Sequence, residues 1–167
     1  MLPRRHLLRI VISLIAMLVG SCGFHLRGQV AMPFDTLYID AAKSNSPLVD
    51  DLRGALELNK VGVVDSADQA KVILSIVSEI PDKQVLSLGS DGRVNEFRLF
   101  YRVSIRAYDK QHEWIPAEEI QLRNDFSYDD SKVLAKEAEE SMLLKSMRAD
   151  MVQQIMHRLA RSAPTSK

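Results

Sequence analysis

Between Glu96 and Ala107 the chain reads EFRLFYRVSIRA. Phe97, Leu99, Tyr101, Val103, Ile105 and Ala107 fill every second position, with Glu96, Arg98, Phe100, Arg102, Ser104 and Arg106 between them. Strict period two is the signature of a strand with one buried face, because successive side chains leave opposite sides of a pleated backbone. A helix would scatter the same residues round its circumference. This stretch therefore commits the chain to a sheet with one covered side.

The flanking segments extend that sheet. AKVILSIVSEIPDKQVLSLG is rich in β-branched residues, and Pro81 within it marks a bulge or an edge. SDGR follows, with Asp-Gly supplying the positive φ that a tight hairpin needs. After the DKQHE turn, Ile120, Leu122 and Phe126 alternate with Gln121, Arg123, Asp125 and Ser127. Nearer the N-terminus, FDTLYIDA reads as a first strand and VGVVDSADQ as a short edge segment and loop.

Two helices account for the rest. Ser46 is placed to cap the first, and Pro47 sits at its first position, where a missing N–H costs nothing. Leu48, Leu52, Ala55 and Leu56 form its apolar stripe, and it should stop near Lys60. The second runs from about Ser131 to Ala160, with Leu144, Met147, Met151, Ile155 and Leu159 in its stripe. Asp129 and Asp130 precede it and His157, Arg158 and Arg161 end it, as the helix dipole favours. The predicted class is α+β, with two helices packed on one face of a mostly antiparallel four-stranded sheet.

The N-terminus is of another kind. Arg4, Arg5 and Arg9 precede an apolar run from Ile10 to Gly20. A basic region, a short apolar core and small residues spell an export signal, and the run is too short to span a bilayer. It ends Val19-Gly20-Ser21-Cys22, which resembles a lipobox, so Cys22 is expected to carry lipid and become the first mature residue. Gly23 follows in place of aspartate, which by the sorting rule for such lipoproteins implies the outer membrane. The expected organisation is a signal at 1–21, a lipid anchor and tether at 22–33, one α+β domain at 34–161 and a flexible tail at 162–167.

Composition removes several functions. With 22 basic and 22 acidic side chains the formal charge is zero, and a nucleic-acid binder would carry a basic excess. One cysteine rules out an internal disulfide and any multi-cysteine metal site. The histidines are scattered, and no Walker loop, Rossmann glycine pattern, zincin helix or nucleophile elbow occurs. No enzyme, metal or cofactor is expected, apart from the covalent lipid.

Two basic features remain. Arg98, Arg102 and Arg106 share the polar face of the long strand at about 13–14 Å spacing, with Arg93 at the hairpin before them. They can meet an anionic partner, or be balanced by Glu96, Glu119 and Asp125 on a solvated face. Lys136, in VLAKEAEESM, can likewise meet an anion or pair with Glu140 one turn on.

The chain resembles the LptE family of lipopolysaccharide-assembly lipoproteins. The resemblance is carried by CGFHLRG after the lipobox, SPLVDDLRGALELNKVGVV, NEFRLFYRVSI and the FSYDDSKVLAKEAEESMLLKSMRADMVQQIMHRL helix. It implies two helices on a four-stranded sheet, and a β-barrel partner, LptD, whose lumen the lipoprotein plugs. It also implies lipopolysaccharide binding through a helix-start lysine, here Lys136, and a basic residue near the hairpin tip. An alignment puts Ser90 at that second position, with Arg93 three residues on as the displaced candidate. Arg98, Arg102 and Arg106 become candidate contacts with a polar lumen.

Overall fold

The structure is a computed structural model, and it describes residues 31–162. Cys22, the export signal and residues 163–167 lie outside the described residues. Five strands and two helices follow in the order β1 (Thr36–Ala41), α1 (Pro47–Leu58), β2 (Gly62–Val64), β3 (Val72–Leu88), β4 (Val94–Tyr108), β5 (Glu113–Ser127) and α2 (Val133–Arg161). The sheet order is β2-β1-β3-β4-β5.

The α+β class holds, but the sheet has five strands and is mixed. The expected edge segment is β2, which runs parallel to β1. β1 is also parallel to β3, whereas β3–β4 and β4–β5 are antiparallel. The reason is topological. Helix α1 carries the chain back to the starting end of β1, so the next strand must run the same way.

Local chemistry explains each boundary. Ser46 Oγ accepts the Val49 N–H at 3.3 Å and Pro47 opens α1, as expected. Asn59 ends α1 with its side-chain amide on the Ala55 carbonyl at 2.7 Å, and Lys60 leaves with a φ of 62°. Before α2, Asp129 accepts from the Ser131 N–H and caps a 3-10 turn over Asp130–Lys132, so the α-helix begins two residues later than expected.

The alternation of β4 is realised, with Phe97 only partly buried at its start. Leu99, Tyr101, Val103, Ile105 and Ala107 are buried towards the helices. They meet Leu37, Ile39, Leu74 and Ile76 from the other strands, Leu48, Leu52 and Leu56 from α1, and Met151, Ile155 and Leu159 from α2, all in one core. An Arg148–Asp51 ion pair (2.6 Å) ties α2 to α1 above it.

Strand β3 has two halves. Val72–Ile76 lies between β1 and β4, and a register shift follows between Ile76 and Ser78. β1 ends there, so Pro81 sits on an open edge, where its missing donor does no harm. The shift exchanges the faces. Beyond it Glu79, Lys83 and Val85 pair with the inward Val103, Leu99 and Phe97 of β4.

Candidate functional site

The β3–β4 hairpin and the start of α2 share one end of the sheet. The Gly89 N–H donates to the Arg93 carbonyl (2.7 Å) and the Gly92 N–H to the Gly89 carbonyl (3.0 Å). Gly92 supplies the positive φ, 78°, that the Asp-Gly pair promised. Arg93 is exposed, with Nε 3.7 Å from the Asp91 carboxylate. The groove beside it is lined by Asp91, Asn95, Tyr128, Asp129 and Asp130, so acids outnumber the one arginine.

Lys136 stands close by on the first turn of α2. Its ammonium donates to Glu139 Oε2 at 2.8 Å and Ser127 Oγ at 3.2 Å, and its side chain is 15% exposed. The ion pair forms with Glu139, three residues on, and not with Glu140 as the sequence suggested. Glu140 turns to β3 instead and takes Lys83 Nζ at 2.7 Å. Lys83 also lies 4.9 Å over the Phe97 ring, which packs on Phe126 and Tyr128. The fold thus brings Lys136 and Arg93 to one end of the sheet without placing both in one groove.

The opposite face of β4 carries the three arginines, each met by a carboxylate. Arg98 makes two bonds to Asp125, at 2.7 and 2.8 Å, directly across the β4–β5 ladder. This pairing holds the Asp125 carboxyl below its ordinary range and the Arg98 guanidinium above its own. Arg102 reaches Asp82 at 3.5 Å, and its Nε is buried without a hydrogen-bond partner among the described residues. Arg106 binds Glu113 at 2.8 Å and lies over the Tyr108 ring. Of the expected counter-charges, Asp125 is used, whereas Asp82 and Glu113 take the other two arginines. No described helix covers this face, because both pack on the other side.

Two polar clusters escaped sequence reading. The Tyr101 hydroxyl, in the core, donates to Glu79 Oε1 at 2.5 Å. Burial first, then that carboxylate, pushes the phenol far above its usual range. Asp109, in the β4–β5 turn, accepts from the Trp114 indole N–H (2.8 Å) and from the Gln111 and His112 backbone N–H groups (2.6 Å each). These bonds, the indole's first, lower its pKa to about 2. The signal for Glu79 was present only indirectly, since its inward direction follows from the shift after Ile76.

Comparison with known proteins gives a consistent picture. The LptE family, described as lipopolysaccharide-assembly, matches residues 34–159. The LPS-assembly lipoprotein LptE of Pectobacterium atrosepticum is 27% identical over 159 residues, covering 93% of this chain and 86% of that protein. Its counterpart in Yersinia pestis is 28% identical over 159 residues, covering 93% and 76%. Among solved structures, an uncharacterized lipoprotein B from Nitrosomonas europaea superposes with a TM-score of 0.69 at 41% identity, over 80% of this chain and 88% of that one. The rare lipoprotein B from Shewanella oneidensis gives a TM-score of 0.68 at 28% identity, over 75% and 93%.

Proposed function

The chain belongs to the LptE lipopolysaccharide-assembly family, and from that membership we propose that it is a non-enzymatic lipoprotein of the outer membrane that plugs the LptD β-barrel and binds lipopolysaccharide on its way to the cell surface. Cys22 carries the lipid anchor and holds the domain at the membrane. No described helix is long and apolar enough to cross a membrane.

The observation that carries the plug reading is the uncovered sheet face. Its arginines are neutralised in place by Asp125, Asp82 and Glu113. A barrel lumen is polar and wet, so a plug needs a charged, self-satisfied face and not a greasy one. Arg98, Arg102 and Arg106 are accordingly lumen contacts. Lys136 is the lipopolysaccharide contact. Its ammonium is already positioned by Ser127, and a lipid A phosphate would exchange with Glu139 for the charge. Arg93 has the exposure for the same task, but the acids around it weaken its field.

The test is extraction of native membranes in mild detergent with the full chain tagged at its C-terminus. Recovery of a stoichiometric outer-membrane barrel is the expected result. A chain that runs alone overturns the reading. Separately, Cys22→Ser should move the protein from the membrane to the soluble fraction.

A further inference from the structure

The place beside β3 that β1 occupies up to the Ala41–Ile76 pair holds no described strand along Val77–Leu88. Apart from Val77 and Leu86, which fall at the register shifts, those residues pair with β4 on one side and with no described strand on the other, which leaves backbone N–H and C=O groups facing outward in a row that lacks only the Pro81 donor. Five of the nine exposed large hydrophobic residues among the described ones lie here: Val77, Ile80, Val85, Leu86 and Leu88. The other long edge, β5, has none of them. It carries Glu118, Glu119, Gln121, Arg123 and Asp125 instead, the charged dress of an edge that stays unpaired. Above the β3 edge runs a groove of about 580 Å³ between Lys83 and the α2 flank formed by Glu137, Glu140, Leu144, Lys145 and Arg148. A strand edge below and a helix flank above are the two walls of a strand-addition site.

We propose that an extended segment of the barrel partner adds to β3 along Val77–Leu88 as a sixth strand. The proposal rests on the plug reading above. The occupant must be a polypeptide, because a lipid chain cannot satisfy outward-facing backbone donors and acceptors. It must also differ from this chain. Two-fold pairing of the edge with itself would centre on its middle and set Asp82 against Asp82 or Lys83 against Lys83, and like charges directly opposite are destabilising. The incoming strand carries apolar side chains opposite Ile80 and Val85. Its groove-facing residues are small or neutral near Lys83 and Arg148, whose charges Glu140 and Asp51 already meet. Pro81 and the register shift between Val85 and Ser87 keep the edge from pairing indiscriminately.

The experiment places the photocrosslinker benzoylphenylalanine at position 85, 88 or, as a control at the exposed Glu57 of α1, away from both the β3 edge and the arginine face, 57 of the membrane-anchored full chain. The expected result is a crosslink from 85 and 88 to one contiguous segment of the barrel, at about fivefold or more the yield from 57. Leu86→Lys, which blunts the edge with a charge, should cut that yield about tenfold while leaving the thermal melt of the chain unchanged. Crosslinks from 85 and 88 no stronger than from 57, with the barrel still co-purifying, overturn the strand addition and leave the plug standing. If no barrel co-purifies, both fall together.

Discussion

Lys136 on the first turn of α2 is held by Glu139, with Nζ 2.8 Å from Oε2, so the candidate lipid contact is already neutralised in the free protein. A phosphate must compete with that carboxylate. Lys136→Asp should therefore abolish most lipopolysaccharide binding, whereas Glu139→Ala should strengthen it several-fold by freeing the ammonium. Lys136 is only 15% exposed and Glu139 45%, so Glu139→Ala should change stability less than Lys136→Asp, which sets two acids side by side. Affinity for purified lipopolysaccharide, measured beside the thermal melt, separates the cases. Equal affinity across all three proteins would return Lys136 to a purely structural role.

Tyr101 gives a prediction in alkali. Its folded pKa lies above the unfolded value of 10.0. The folded state therefore holds the proton that the unfolded state releases, and stability is full below pH 10 and declines as pH rises beyond it. Phenolate absorbance should show one tyrosine that ionises only as the protein unfolds, and Tyr101→Phe should remove it. That variant leaves Glu79 without its donor and should cost about 1–3 kcal/mol at neutral pH.

Asp109 behaves in the opposite sense. Its folded pKa of about 2 lies below the ordinary 3.8. The stability it contributes is complete above pH 3.8 and is lost as pH falls towards 2. Its partner Trp114 is the chain's single tryptophan, so emission should report the opening of this turn directly. Asp109→Asn should flatten the change in that window. An unchanged fluorescence titration would mean that the indole bond does not set the pKa.

Leu52 and Leu58 test the packing on one helix. Leu52 is fully buried between α1 and the sheet, and Leu58 is 76% exposed. Leu52→Ala should cost about 2–5 kcal/mol through lost transfer energy and the cavity it leaves, and Leu58→Ala less than about 0.5 kcal/mol. Urea unfolding of the two variants measures both.

The sequence by itself determined what covalent geometry repeats. The period-two run of β4, the Ser46–Pro47 helix start, the Met151–Ile155–Leu159 stripe and the Asp-Gly hairpin were all legible because each depends on neighbours a few residues apart. Tertiary structure decided the rest. Three residues of VGVV cannot display a period, so only the return path of α1 made β2 a parallel fifth strand. Glu139 and Glu140 were equally placed to hold Lys136 until Lys83, 57 residues from Glu140, took one of them. The shift after Ile76 turned Glu79 and Lys83 inward, and the end of β1 left the β3 edge open. These outcomes join residues far apart in the chain, where packing and charge pairing choose among arrangements that local pattern leaves equal.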